Sequence, residues 1–248
     1  MENGNTIFKR PENVPYPSVW KRFKGKREIN GVIPSFWVQD IPEDQFEDAL
    51  DFIMSGFPVD EPLNKYSGLT NDDESMESLR SAERKIIYDK LALICYAENP
   101  EPNGKPIIAG INTTFAKSKH EGDIQIKGET IEKVFDALET VNIRKDAFQE
   151  LGTNVLMNAL GLYVSPEFRG QGIGIEIVKA REDLCKAVGI KAIITTFTSI
   201  ASQKIAEKVG YKILDEISYE EIKKSDNRLN FPGLEKHTKM IKCMYKIV

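Results

Sequence analysis

Residues 169–174 read R-G-Q-G-I-G, with glycines at 170, 172 and 174 directly behind the apolar run N-V-L-M-N-A-L-G-L-Y-V. A helix N-terminus leaves backbone N–H groups unpaired and carries partial positive charge. Glycine lets that backbone approach an anion with no Cβ in the way. The pattern suits a phosphate held at the start of a helix. The spacing is G-x-G-x-G, not the G-x-G-x-x-G of dinucleotide folds. The strand about 20 residues on ends in Thr195, Thr196 and Phe197, with no acid to hold a ribose. No Gly-Lys-Ser/Thr is present, which excludes a P-loop. Other reactive residues are scattered: His120 and His237 stand alone, and Cys95, Cys185 and Cys243 form no CxxC pair. No metal site is expected.

The elements that must position this turn follow from periodicity. Residues 1–30 are polar, basic and proline-bearing, and read as an arm packed on the remaining domain, 31–248, through Tyr16, Val19, Trp20 and Phe23. P-S-F-W-V-Q-D-I is a short strand. Phe46, Ala49, Leu50, Ile53 and Met54 recur at helical spacing, and Gly56 is expected to end that helix. D-E-P-L-N-K-Y-S-G-L reads as a loop. A second helix is expected from near Asn71, with Asn71 and Glu74 in a capping pattern, to about Lys90. Two strands follow, L-A-L-I-C-Y-A-E and P-I-I-A-G-I-N-T-T-F, then a polar region, 117–150, with one helical segment. The run before the glycines reads as a strand buried on both faces. Behind the glycines, Ile173, Ile177, Ala180 and Leu184 mark a helix face that Gly189 closes. A strand, a helix closed by Gly210 and two final strands complete a mixed α/β sheet.

L-Y-V-S-P-E-F-R-G-Q-G-I-G-I-E-I-V-K-A-R-E-D, with E-K-V-G-Y-K further on, resembles the GNAT superfamily of acetyltransferases. The resemblance implies an α/β (α+β) fold with a mixed, mostly antiparallel, twisted sheet of about seven strands flanked by helices. It implies acetyl-CoA as co-substrate, held by Leu162, Tyr163 and Val164 of the central strand and by Arg169, Gly170, Gln171, Gly172, Ile173 and Gly174 of the turn. A backbone N–H of the strand containing Leu160 to Val164 would hold the oxyanion. The stretch F-P-V-D-E-P-L-N-K-Y narrows the likeness to the insect arylalkylamine N-acetyltransferases, from about Ser35 to Val248. In that family the D-E-P-L-N segment carries the catalytic glutamate, which falls on Glu61. Two hydroxyls near the thioester fall on Thr198 and Ser202, one helical turn apart. Thr198 stands where serine is common. The tyrosine acid of many GNAT enzymes is replaced by Ala206.

The resemblance implies direct acetyl transfer in a ternary complex to a small amine, with dopamine, tyramine, octopamine, serotonin and tryptamine as the favoured acceptors. Polyamines or agmatine, a longer acyl donor, and a silent CoA-binding module are the alternatives. A net charge of −4 argues against nucleic acid, although K-R-F-K-G-K-R at 21–27 is a basic patch. No apolar run approaches the ~20 residues that span a bilayer, and no membrane partner is expected. The scattered cysteines and the absence of an apolar leader core suggest a cytoplasmic setting, and a monomer is expected.

Overall fold

The computed structural model describes residues 7–248. Residues 1–6 of the expected arm lie outside the described residues. Among the described residues, eight strands form one sheet in the order β1-β2-β3-β4-β5-β6-β8-β7. They are β1 (Val19–Lys24), β2 (Ser35–Asp40), β3 (Leu93–Ala97), β4 (Ile107–Ser118), β5 (Val155–Val164), β6 (Ala192–Phe197), β7 (Lys212–Ser218) and β8 (Met240–Ile247). The helices are α1 (Phe46–Asp60), α2 (Pro62–Ser67), α3 (Asp73–Tyr88), α4 (Glu129–Asn142), α5 (Ala147–Leu151), α6 (Ile173–Val188), α7 (Ile200–Lys208) and α8 (Tyr219–Ser225).

Every neighbouring pair of strands is antiparallel except β5 and β6. A parallel pair needs a crossover, and α6 supplies it. β5 and β6 register only at Met157 and Ile193, so the two strands splay beyond that point. The splay opens the sheet at its centre.

Period-two alternation divides the core between the two faces. Leu93, Cys95 and Ala97 of β3 pack with Ile177, Leu184 and Val188 of α6. Ile94 and Tyr96 point the other way, against Leu50 and Ile53 of α1 and Leu79 and Ile87 of α3. A third cluster joins Leu63 of α2 and Val134 of α4 to Ile194, Ile241 and Cys243. Each such aliphatic side chain contributes roughly 1.5–3 kcal/mol by leaving water.

The sheet has one strand more than the expected seven because the basic segment contributes β1, an edge strand paired with β2. Edge strands tolerate charged residues, which hides them from a hydrophobicity reading. Gly56 does not end α1. The helix continues through Pro58 to Asp60, and Gly56 is needed because a Cβ there would collide with the Tyr163 ring. The expected D-E-P-L-N loop is mostly α2, with Pro62 in its first turn. α3 is capped by Asp72, whose carboxylate accepts from Ser75 N–H at 3.1 Å, in place of Asn71. β5 is not buried on both faces: Asn158, Ala159, Leu160 and Leu162 line a cavity at the splay.

Candidate active site

The glycine turn lies between β5 and α6. Gly170 and Gly172 take φ of 81° and 90°, the left-handed region that a Cβ disfavours. Gly172 caps α6 with no side-chain hydrogen bond, so the helix's first amides face the cavity uncapped. Ile173 is buried in the core, and Gly174 packs against Ile205 of α7. Arg169 forms an ion pair with Asp60 and donates from Nε to the Val164 carbonyl at 3.1 Å. Leu162, Tyr163 and Val164 all line the cavity, and the Tyr163 ring also packs on Phe52.

The cavity measures about 860 Å³ and runs from this turn through the splay to α3 and α4. Glu61 sits on its wall, where α1 ends and α2 begins. Its Oε2 accepts from Asn64 N–H at 2.7 Å, which caps α2. Its Oε1 accepts from the Thr198 hydroxyl at 2.6 Å, reaching across 137 residues of chain. Desolvation raises the carboxyl pKa above its ordinary value, and the hydrogen bonds from Thr198, Asn64 and Leu63 oppose that rise without cancelling it. A carboxylate has about four lone-pair sites. Three accept these bonds, so Glu61 keeps capacity to take a proton.

Thr198 stands just ahead of α7. The cap of α7 is its neighbour Ser199, whose hydroxyl accepts from Ser202 N–H at 3.1 Å. The Thr198 hydroxyl is therefore free of capping and committed to Glu61. Ser202 Oγ pairs with Ser199 Oγ at 2.9 Å and with the Ser199 carbonyl at 3.0 Å, and the residue also lines the cavity. The structure thus joins Glu61 to Thr198 directly and sets Ser202 one turn away.

Several residues at the site escape sequence reading. Tyr219 donates to the Thr198 carbonyl at 3.3 Å. Burial, together with the Glu61 charge, pushes its hydroxyl pKa up. Arg181 is 1% exposed on α6. It donates to Asn112 Oδ1 at 2.6 Å and Thr195 Oγ1 at 3.0 Å, bridging β4 and β6 beneath the splay. Asn112 in turn donates to the Gly161 carbonyl at 2.5 Å, which fixes β5 where it lines the cavity. A charged residue four positions after Ile177, on an apolar helix face, was the one available signal for Arg181.

Past Met157, β5 has no ladder partner on its β6 side, although the Ala159 and Gly161 amides already donate to Asn158 Oδ1 and Thr113 Oγ1. Among the described residues no cysteine lines the cavity, and no cluster of three or more His, Cys, Asp or Glu side chains could hold a metal. No helix among them is long and apolar enough to cross a membrane.

This arrangement has relatives. Residues 149–211 match the model of the Acetyltransferase (GNAT) family. Among curated proteins, none matches the chain by sequence. A crystal structure described as insect "putative arylalkylamine N-acetyltransferase 7", from the yellow fever mosquito Aedes aegypti, is 34% identical with a TM-score of 0.88. The match covers 97% of this chain and 99% of that one. Arylalkylamine N-acetyltransferase 2 of the same mosquito is 22% identical, with a TM-score of 0.71 over 86% of this chain and 98% of that one. The polyamine N-acetyltransferase of Drosophila melanogaster is 14% identical, with a TM-score of 0.69 over 86% and 100%. The latter two share the fold. With the mosquito protein of 34% identity matched over nearly its whole length, the chain belongs to the GNAT family of acetyltransferases and is an N-acetyltransferase.

Proposed function

We propose that this enzyme transfers the acetyl group of acetyl-CoA directly to a small arylalkylamine, with Glu61 as the base. The observation that carries the reading is the partly buried Glu61–Thr198 hydrogen bond on the wall of a cavity that the glycine turn opens into. An alkylamine resembles lysine, with a pKa near ~10.4, and is mostly ammonium at neutral pH. Only its free form attacks a thioester. The Glu61 carboxylate attracts the cation and removes the proton, directly or through one water. The nitrogen lone pair then attacks the carbonyl carbon. β5 amides at the splay, where the ladder with β6 ends, supply donors for the oxyanion.

When the C–S bond breaks, the thiolate needs a proton. Glu61 holds one, and the Thr198 hydroxyl touches Glu61. Thr198 passes a proton outward as it receives the one on Glu61, and Ser202 extends that path along α7. Base and acid then belong to one relay.

Phe57, Phe115 and Phe135 line the acceptor side and favour an aromatic ring. The mosquito relatives are described as arylalkylamine N-acetyltransferases, in keeping with that wall. A second reading, a diamine, rests on Asp123 and Glu139 in the same wall. Thiol release measured with tryptamine, dopamine, agmatine and spermidine tests both readings. Turnover of the aromatic amines at the highest kcat/KM is expected. Preference for agmatine or spermidine overturns the aromatic reading, and no thiol release with any amine overturns the activity.

Ser202→Ala separates a relay from a cap. Lower turnover with unchanged CoA affinity is expected. A purely structural hydroxyl would cost about 1 kcal/mol or less in thermal stability and leave turnover alone.

A further inference from the structure

The basic run that follows β1 lies over the glycine turn. Gln171, between Gly170 and Gly172, is 2% exposed. Its Oε1 accepts from Lys26 N–H at 2.7 Å and from Arg27 N–H at 2.9 Å, and its Nε2 donates to the Arg27 carbonyl at 2.9 Å. One buried amide therefore clamps the backbone of two consecutive basic residues onto the turn. The Arg27 guanidinium lies against Gly170, where a Cβ would overlap it, and its Nη2 donates to the Arg169 carbonyl at 2.6 Å. The Lys26 side chain crosses Gly172. A Cβ there would stand 2.9 Å from its Cε and 3.4 Å from its Nζ. Lys26 also lines the cavity.

These cations are uncompensated. Arg169 is paired with Asp60, and Lys21 is paired with Asp183. Lys26 and Arg27 have no ion pair among the described residues, and the adjacent Glu28 makes none with either. Both are held beside the N-terminal end of α6, which is itself electropositive. Two cations fixed against a positive helix end repel it, and a solvated lysine would simply turn away. Here Gln171 locks the backbone of the run beside the turn and the Arg27 guanidinium is tied to the Arg169 carbonyl, so the exposed charges stay within reach of the turn. Such a concentration is stabilised by a polyanion seated between the helix end and the run.

We infer that residues 25–27 form a second jaw of the nucleotide site, with Lys26 and Arg27 binding the phosphates of CoA. The inference rests on the reading of the glycine turn as the CoA site. The turn offers backbone amides, which are directional but uncharged. The run adds point charge from Lys26 and a planar donor fork from Arg27. Gln171 is a positioning residue: its side chain faces the run and brings both cations to the turn. β1 delivers the run from the sheet edge, which gives the basic patch a role at the small-molecule site.

The test uses the full chain. Calorimetric titration with CoA, dephospho-CoA and pantetheine compares the wild type with Lys26→Ala/Arg27→Ala. Affinity for CoA is expected to fall ~10- to 100-fold, in line with the loss of charge-assisted hydrogen bonds at a partly exposed site. Pantetheine, which lacks the phosphates, is expected to bind both proteins equally. An equal loss with dephospho-CoA assigns the contact to the pyrophosphate, and a loss confined to CoA assigns it to the 3′-phosphate. The salt dependence of CoA affinity is expected to flatten in the double variant. The charge-preserving Lys26→Arg/Arg27→Lys exchange is expected to keep most of the affinity, and a thermal melt checks that both variants fold. Unchanged CoA affinity in a folded double variant overturns the inference, as does an equal loss for pantetheine. A wild type that binds no CoA overturns the reading of the turn as well.

Discussion

Glu61→Gln lowers turnover by ~10²- to 10⁴-fold, the range that general-base catalysis typically spans, and leaves CoA affinity unchanged. The substitution keeps the shape of the side chain. Its carbonyl oxygen still accepts from Asn64 N–H, so α2 keeps its cap. The amide nitrogen cannot accept from Thr198, but a hydroxyl can rotate to accept instead. What disappears is the ability to hold a proton. The pH profile makes this loss specific. The ionised carboxylate is the active form, so wild-type turnover rises with pH through the pKa of Glu61 and is lost below it. Desolvation places that pKa above the ~4.3 of a free glutamate. The Gln variant lacks this limb and recovers part of its rate at high pH, where free amine forms unaided. Steady-state kinetics from acid to alkaline pH, with CoA titrations beside them, check the expectation. Wild-type turnover with the same acid limb in the variant would falsify the assignment of Glu61 as the base.

The two halves of this site differ in how far sequence exposes them. The glycine turn is legible because its chemistry is local: an apolar strand, three glycines and a helix face lie within one short stretch. Glu61 is visible only through the resemblance of its flanking segment. Locally it is an acid beside a proline. Its partner Thr198 lies 137 residues away, and no periodic pattern carries such a contact. The length of α1 departs from its sequence signal for a related reason. Gly56 has the propensity of a helix stop, but the ring of Tyr163, from a distant strand, is what requires a residue without a Cβ there. β1 was hidden by its charge, because a strand at the sheet edge needs only one partner and can stay polar. Lys26 and Arg27 belong to a basic patch whose sequence does not say what it faces, and only the fold brings them over the turn. Glu83 and Arg181 occupy apolar faces of α3 and α6, where a reading by periodicity passes over single charges.

Glu83→Gln stabilises the protein, and the gain grows with pH. Glu83 is fully buried on α3, and its Oε1 lies against the backbone of Gly161 on β5. Neither carboxyl oxygen has a hydrogen-bond partner. The neighbouring Thr113 hydroxyl offers partial relief, but its proton is shared with the Gly161 carbonyl, to which it donates at 3.3 Å. Desolvation therefore pushes the carboxyl pKa up to about 8. In the unfolded chain the group ionises near its ordinary value. Between about 4.5 and 8 the folded protein holds a proton that the unfolded chain releases, so stability falls as pH rises across that window. It is fully present below the window and lost above it. At ~1.4 kcal/mol per pKa unit, the loss approaches about 5 kcal/mol by alkaline pH. Glutamine cannot ionise and has nothing to lose. Every other titrating group is common to both proteins, so the difference between them isolates Glu83. Denaturant melts at pH 5, 7 and 9 should show that difference rising by ~1.4 kcal/mol per pH unit until it levels off. At alkaline pH the variant should melt ~10 °C higher, given ~2–4 °C per kcal/mol for a chain of this size. The amide must fit where a protonated carboxyl sat, which sets a small constant offset and leaves the slope untouched. A difference that stays flat from pH 5 to 9 rules out a neutral, buried Glu83.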